Sequence, residues 1–238
     1  MTTLKTSGET FFGHPKGLFI LFFTEMWERF SFYGMKALLI FYLTKYHLFS
    51  DDSGNLLIGS YAALVYAVRV IGGFIADKYL GFRKAIIFGG VMLVLGHLGM
   101  AYEGNAATQS MTGEIVRDNA ALQVFYFSLS LIIVGVGFLK ANISSLVGEL
   151  YVAGDKRRDS GFTIFYMGIN LGSFLATIIC AWLGENYGWS YGFGAAGIGM
   201  FFGLITFISG KRFLEGKGES KVPEFLAKAS FGVKNEWL

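Results

Sequence analysis

The sequence predicts an all-α membrane protein built as a bundle of six transmembrane helices. Three observations predict it. Hydrophobic residues make up 53% of the 238 residues and charged residues only 16%, with 33 Gly and 25 Phe, a balance foreign to a soluble domain of this size. Runs of 18 or more largely apolar residues recur, each long enough to cross the roughly 30 Å hydrocarbon core of a bilayer as a helix. The runs are separated by short segments of turn chemistry.

Taken in order, spans are expected over 17–44, 57–76, 85–102, 121–149, 161–183 and 188–209. The polar start through Lys16 leads into a first run too long for the apolar core of a cleavable signal peptide, so this helix is expected to be its own insertion signal. Turn or loop signals stand at Asp51-Asp52-Ser53-Gly54-Asn55, Gly104-Asn105, Gly154-Asp155 and Gly184-Glu185-Asn186. Residues 103–120 read as a polar outer loop. Paired glycines at Gly72/Gly73, Gly89/Gly90, Gly135/Gly137, Gly168/Gly172 and Gly192/Gly194 are expected to let helices approach closely, as packing in lipid favours.

Charge sets the orientation. With the N-terminus in the cytoplasm, Lys5, Lys16, Lys78, Arg83, Lys84, Lys156, Arg157, Arg158, Lys211, Arg212, Lys217 and Lys221 fall inside, against Lys45 and Arg117 outside. The chain then divides into a cytoplasmic N-terminus (1–16), the transmembrane bundle (17–210) and a cytoplasmic linker or tail (211–238). In that tail Phe225, Leu226, Phe231, Trp237 and Leu238 suit a short interfacial helix. Both termini are cytoplasmic, and a bacterial inner membrane is the expected location. The net charge of +3 follows from this orientation and implies no affinity for nucleic acid.

Other classes are excluded by what is missing. The single cysteine, Cys180, lies inside an apolar run and can form no internal disulfide, and no His/Cys spacing suits zinc. No nucleophile–base pair, metal-ligand cluster or phosphate-cradling glycine loop stands out. Neither an enzyme nor a bound cofactor or metal is expected.

The first span carries the chemistry. Glu25, Glu28, Arg29 and Lys36 fall at offsets of 0, 3, 4 and 11, within about a third of a helix circumference. Each charge near the bilayer centre costs about 2.5–3.5 kcal/mol, so an intramembrane stripe of them marks a functional site; the alternative is an i,i+4 pair, Glu25–Arg29, that merely ties helices together. At 1.5 Å per residue, Arg29 lies about 18 Å from the cytoplasmic start of its helix and Lys140, on the fourth span, about 15 Å from its cytoplasmic end. They can share a layer with Glu25 and Glu28, whose protonation would then be coupled. Lys36, two to three turns further out beside Tyr33, is expected to face an outer cavity. Arg69, about 10 Å from the cytoplasmic end of the second span, is within reach of Asp77 as a gate or structural pair.

These residues also carry a resemblance. Glu25-Met-Trp-Glu28-Arg29-Phe30-Ser-Phe-Tyr33-Gly34 resembles the ExxERFxYYG motif of the proton-dependent oligopeptide transporters, a branch of the major facilitator superfamily. Three further stretches match in order. Gly72-Gly73-Phe-Ile-Ala-Asp77-Lys-Tyr-Leu-Gly81-Phe-Arg83-Lys84 is similar to the superfamily's gating loop, Gly137-Phe-Leu-Lys140-Ala-Asn142-Ile-Ser144 to the family's fourth-helix signature, and Phe165-Tyr166-Met-Gly-Ile-Asn170-Leu-Gly172-Ser173 to its fifth-helix one. The likeness covers residues 11–210.

The resemblance implies the amino-terminal half of the major facilitator fold, with di- and tripeptides carried together with protons by alternating access. By the same resemblance, Glu25, Glu28, Arg29 and Lys140 serve proton coupling. Arg29, Tyr33, Lys36, Tyr66, Lys140 and Asn170 line the peptide site, and Asp77, Arg83 and Arg69 belong to the gate. The chain departs from the family pattern at Lys36, where Arg is usual, and at Arg69, where a neutral residue is expected. Six spans are half the family's number, so the resemblance implies a second six-helix half as partner: a missing C-terminal half, a separate chain or a second copy. The other readings are a symporter of another small anion and a half-transporter that binds and regulates a full-length homologue without transporting.

Overall fold

The computed structural model describes residues 10–220, 229–230 and 233–234. Six long helices dominate it: α1 (Lys16–Phe41), α2 (Asp51–Ile75), α3 (Phe82–Met100), α4 (Asn119–Glu149), α5 (Arg158–Tyr187) and α6 (Trp189–Ser209). α1 and α2 each run on into a five-residue π-helical turn, over Tyr42–Tyr46 and Ala76–Leu80, and α6 into the 3-10 turn Gly210–Leu214. Short antiparallel hairpins pair β1 (Thr10–Phe11) with β2 (His14–Pro15), β3 (Thr108–Gln109) with β4 (Ile115–Val116), and β5 (Ala229–Ser230) with β6 (Val233–Lys234). The apolar residues expected to form an interfacial helix, Phe225, Leu226, Phe231, Trp237 and Leu238, lie outside the described residues.

Two expected turns are helix instead. Asp51 to Asn55 form the first turn of α2, because Ser50 caps it by accepting from the Ser53 amide at 3.3 Å and Asp51 and Asp52 lie at the positive end of the helix dipole. Gly184 to Asn186 stay inside α5, which ends at Tyr187 and is capped by Gly188 (φ 119°). A side chain at Gly184 would run into Leu38 at 2.5 Å, so this glycine serves a close approach of α5 to α1. Gly104 and Gly154, both at positive φ, do mark turns, and the outer loop 103–120 contains the β3–β4 hairpin.

Five helical segments are long and apolar enough to cross a membrane: Asp51–Leu80, Phe82–Met100, Asn119–Glu149, Arg158–Tyr187 and Trp189–Leu214. α1 has the length, 26 residues, and differs from these five in carrying Glu25, Glu28, Arg29 and Lys36 along it. It packs along α5 and α6, α4 packs along α3 and α2, and α3 closes against α6. Backbone contact makes these seams: a Cβ at Gly172 would sit 2.1 Å from the Met26 carbonyl oxygen, one at Gly72 2.5 Å from that of Gly137, and one at Gly89 2.6 Å from that of Gly135. Gly73 and Gly194 are roomier, at 3.5 and 4.0 Å, and contribute less to the packing than their pairing suggested.

The contacts of α1 with α2, of α1 with α4 and of α4 with α5 are sparse, which leaves a gap between these four helices. The loops sort to two ends. At one, Arg157 donates to the Gly13 carbonyl (2.8 Å), the Arg83 amide to the Gly218 carbonyl (3.0 Å), and the Gly218 amide to Glu149 (2.8 Å). At the other, Tyr46 donates to the Gly104 carbonyl (2.8 Å), and Arg117 donates to the carbonyls of His47 (2.6 Å) and Leu48 (2.8 Å).

Candidate functional site

The gap holds a cavity of about 420 Å³. α1 contributes Arg29, Phe32, Tyr33 and Lys36 to its wall. From α2 come Tyr61, Tyr66 and Arg69, from α4 Lys140 and Ser144, and from α5 Phe165 and Tyr166. Helical spacing explains the set, since Ile58, Ala62, Val65, Tyr66 and Arg69 recur on one face of α2.

Behind this wall lies the ionic cluster that the spacing in α1 predicted. Glu25 and Glu28 are 0% exposed and Arg29 only 4%. Arg29 grips Glu28 through Nε and Nη2, a bidentate arrangement that fixes the guanidinium plane. Its Nε also lies 3.3 Å from Glu25 Oε1, the same oxygen that accepts from Lys140 Nζ across the bundle. Two carboxylates and two cations therefore form one chain from α1 to α4. Removing one member leaves a buried charge without its partner, the costly case for ion pairs in a dry interior. Glu25 Oε2 lacks a hydrogen-bond partner among the described residues. Aromatic faces support both cations: Arg29 lies 5.0 Å from the Phe32 ring centre and Lys140 5.8 Å from that of Phe165.

Of the residues singled out from sequence, the structure brings Glu25, Glu28, Arg29 and Lys140 into direct contact, and places Arg29, Tyr33, Lys36, Tyr66 and Lys140 around a single cavity. Lys36 thus opens onto the same space as Arg29 and not onto a separate outer one. Asn170 is exposed on α5 and absent from the wall, although its neighbour Ile169 belongs to it. Arg69 lies on the cavity wall with its guanidinium 4.7 Å from the Tyr66 ring centre; Asp77 is eight residues, about 12 Å of helical rise, further along. Asp77 instead borders a small crevice with Gly81, Phe82 and Glu219. Arg83 is buried and pairs with Glu219, beyond α6. Sequence reading missed Tyr61 and Ser144, which the periodicity of α2 and α4 could have revealed, and Glu219, for which no local pattern exists.

The model of the POT family matches residues 83–231. The chain belongs to the POT family. The ExxERFxYYG stretch of α1 lies outside the matched residues, yet the cluster it builds meets Lys140 inside them. Among its relatives, this POT-family chain is 45% identical over 225 residues to a Bacillus subtilis protein named "Uncharacterized transporter YclF", covering 92% of the chain and 42% of the relative. It is 40% identical over 220 residues to a di-/tripeptide transporter of Lactococcus lactis subsp. lactis (89% and 41%), and 40% over 215 residues to the peptide transporter YePEPT of Yersinia enterocolitica (87% and 39%). The crystal structure of a peptide transporter POT in complex with sulfate superposes with a TM-score of 0.80 at 39% identity, over 93% of this chain and 44% of that one. A POT family transporter in complex with 5-aminolevulinic acid superposes at 0.77 and 34% identity, over 96% and 44%. The chain spans about two fifths of the length of these relatives and has the fold of the amino-terminal half of a POT transporter.

Proposed function

We propose that this chain is the amino-terminal half of a proton-coupled symporter of di- and tripeptides working by alternating access. A second six-helix half would close the open side of the cavity, whether it comes from a further stretch of chain, a separate chain or a second copy. The observation that carries the reading is Glu25 Oε1, shared between Arg29 and Lys140 at the cavity wall. A proton on Glu25 cancels the charge that holds Lys140, and the freed ammonium can then turn to a peptide carboxylate in the cavity. Proton and peptide thereby favour each other's binding, as symport requires. Lys36, Tyr33 and Tyr66 add a cation and two phenols to the same space, suited to a carboxylate and to backbone amides. The end carrying Lys16, Arg83, Lys84 and Arg157 is assigned to the cytoplasm on its basic charge, with 10–16 and 211–220 as flanking segments outside the bundle.

The reading is tested in proteoliposomes that hold the protein as the cell makes it. Glu25→Gln should abolish peptide uptake driven by a proton gradient while sparing exchange of labelled for unlabelled peptide. Driven uptake at the wild-type rate would overturn it.

A further inference from the structure

The cavity's charges do not balance. Four cations face it: Arg29, Lys36, Arg69 and Lys140. Glu28 and Glu25 answer Arg29 and Lys140 from behind the wall. Lys36 and Arg69 make no ion pair with any described residue, and no carboxylate lines the cavity among the described residues. The surplus is two positive charges on opposite walls, one from α1 and one from α2.

Arg69 is the more constrained of the two. Its guanidinium lies over the Tyr66 ring at 4.7 Å, an arrangement that holds its plane and leaves the in-plane donors free to grip a carboxylate. Its Nε is withdrawn from solvent and has no acceptor among the described residues. A guanidinium already stripped of part of its hydration gains more from an anion than one in water does.

We propose that Arg69 is a second anion site in the peptide cavity, so that this carrier favours peptides with an acidic side chain. The inference rests on the proposed function, which assigns the peptide's terminal carboxylate to Lys36 and Lys140. With Glu25 protonated, Lys140 joins Lys36 and Arg69 as an unanswered cation, and the single terminal carboxylate held by Lys36 and Lys140 leaves Arg69 unanswered. A peptide with a neutral side chain leaves Arg69 without a counter-charge from this half of the carrier, and one with a lysine side chain adds a further cation. The aspartate or glutamate side chain of a dipeptide supplies the missing negative group, and the volume of about 420 Å³ lies within the range of small-molecule sites. Discrimination would come as much from repulsion of basic peptides as from attraction of acidic ones.

The test is proton-driven uptake of Ala-Ala, Ala-Glu and Ala-Lys by the protein as the cell makes it, in proteoliposomes. The wild type should show a KM for Ala-Glu about tenfold below that for Ala-Lys, equivalent to about 1.4 kcal/mol. Arg69→Gln should bring the two KM values within about threefold of each other, and Arg69→Lys, which keeps the charge, should retain most of the preference. Equal KM values in the wild type, or a preference that survives Arg69→Gln, would overturn the proposal while leaving peptide symport intact. Uptake of none of the three peptides would overturn peptide symport and this inference with it. Should Arg69→Gln be too damaged to transport, the ratio in Arg69→Lys against the wild type decides: a preference reversed toward Ala-Lys with the cation still present overturns the assignment.

Discussion

Glu25 holds two cations with one oxygen while its other oxygen has no partner, and that asymmetry makes its pair with Lys140 testable. Lys140→Gln should destabilise the detergent-solubilised protein by about 3–5 kcal/mol, because it leaves the fully buried Glu25 short of a cation, and Glu25→Gln should destabilise it less, because Lys140 can turn into the cavity. The double substitution should cost less than the sum of the two, leaving a coupling energy of at least about 1 kcal/mol in a cycle of thermal midpoints. Strict additivity would mean that the two residues do not share the contact. Asp155 offers a second measurement, outside the bundle. Arg157 donates to it from its side chain at 3.0 and 2.7 Å and from its backbone at 2.9 Å, and these bonds hold the carboxyl down at about 2. Its pKa is lower folded than unfolded, so its contribution is present above the unfolded value near 4 and fades as the pH falls toward 2. Hydrogen exchange across residues 153–158 should show protection at pH 5 that weakens below pH 4 and is lost only below about pH 2, and Asp155→Asn should lack it at pH 5.

At the scale of the helices, glycine spacing can be separated into seams and bystanders. Gly172→Ala puts a methyl group 2.1 Å from the Met26 carbonyl oxygen, which only a movement of α5 off α1 relieves; overpacking of this kind costs about 1–3 kcal/mol or more. Gly73→Ala meets nothing closer than 3.5 Å and should be neutral or stabilising by up to about 1 kcal/mol through helix propensity. Thermal unfolding of the two variants decides, and equal losses would contradict the assignment. This contrast also shows how much was legible in the sequence. The six helices were readable because apolar runs of membrane length have few alternatives, and the α1 cluster because offsets of three and four residues put side chains on one face. α2 was expected to begin at residue 57 because Asp51 to Asn55 look like a loop; Ser50 turns the same residues into a capped first turn. Arg69 reads as a gate residue from its nearness to Asp77 along the chain; its Tyr66 contact is an i,i+3 pair that the spacing allows, whereas its cavity position depends on how α2 is rotated against α4. No local pattern reports that rotation.

Across the whole molecule, the segment after α6 binds the loop between α2 and α3. Arg83 pairs with Glu219, the Gly218 carbonyl accepts from the Arg83 amide at 3.0 Å, and Ser220 donates to the Tyr79 carbonyl at 3.0 Å. Gly81 makes room for it, with φ at 80° and its missing Cβ only 2.5 Å from the Ser220 amide nitrogen. Gly81→Ala should therefore lift this strap, and trypsin should cut after Lys217 several-fold faster than in the wild type. Glu219→Gln should have a smaller effect in the same direction, since a half-exposed partner contributes at most about 1 kcal/mol. Wild-type cleavage rates in both variants would mean that the strap is held elsewhere.

The Glu25–Lys140 contact joins positions 115 residues apart, and this separation has a consequence for biosynthesis. At about 5–20 residues per second, a ribosome needs roughly 6–23 seconds to deliver the lysine after the glutamate. Through that interval the nascent first helix holds carboxylates whose cross-bundle cation does not yet exist. Until the fourth helix arrives, only Arg29 of its own helix answers Glu25. Crosslinking of nascent chains should therefore find the first helix beside the translocon or an insertase until Lys140 has emerged, and its earlier release into lipid would show that Arg29 alone suffices.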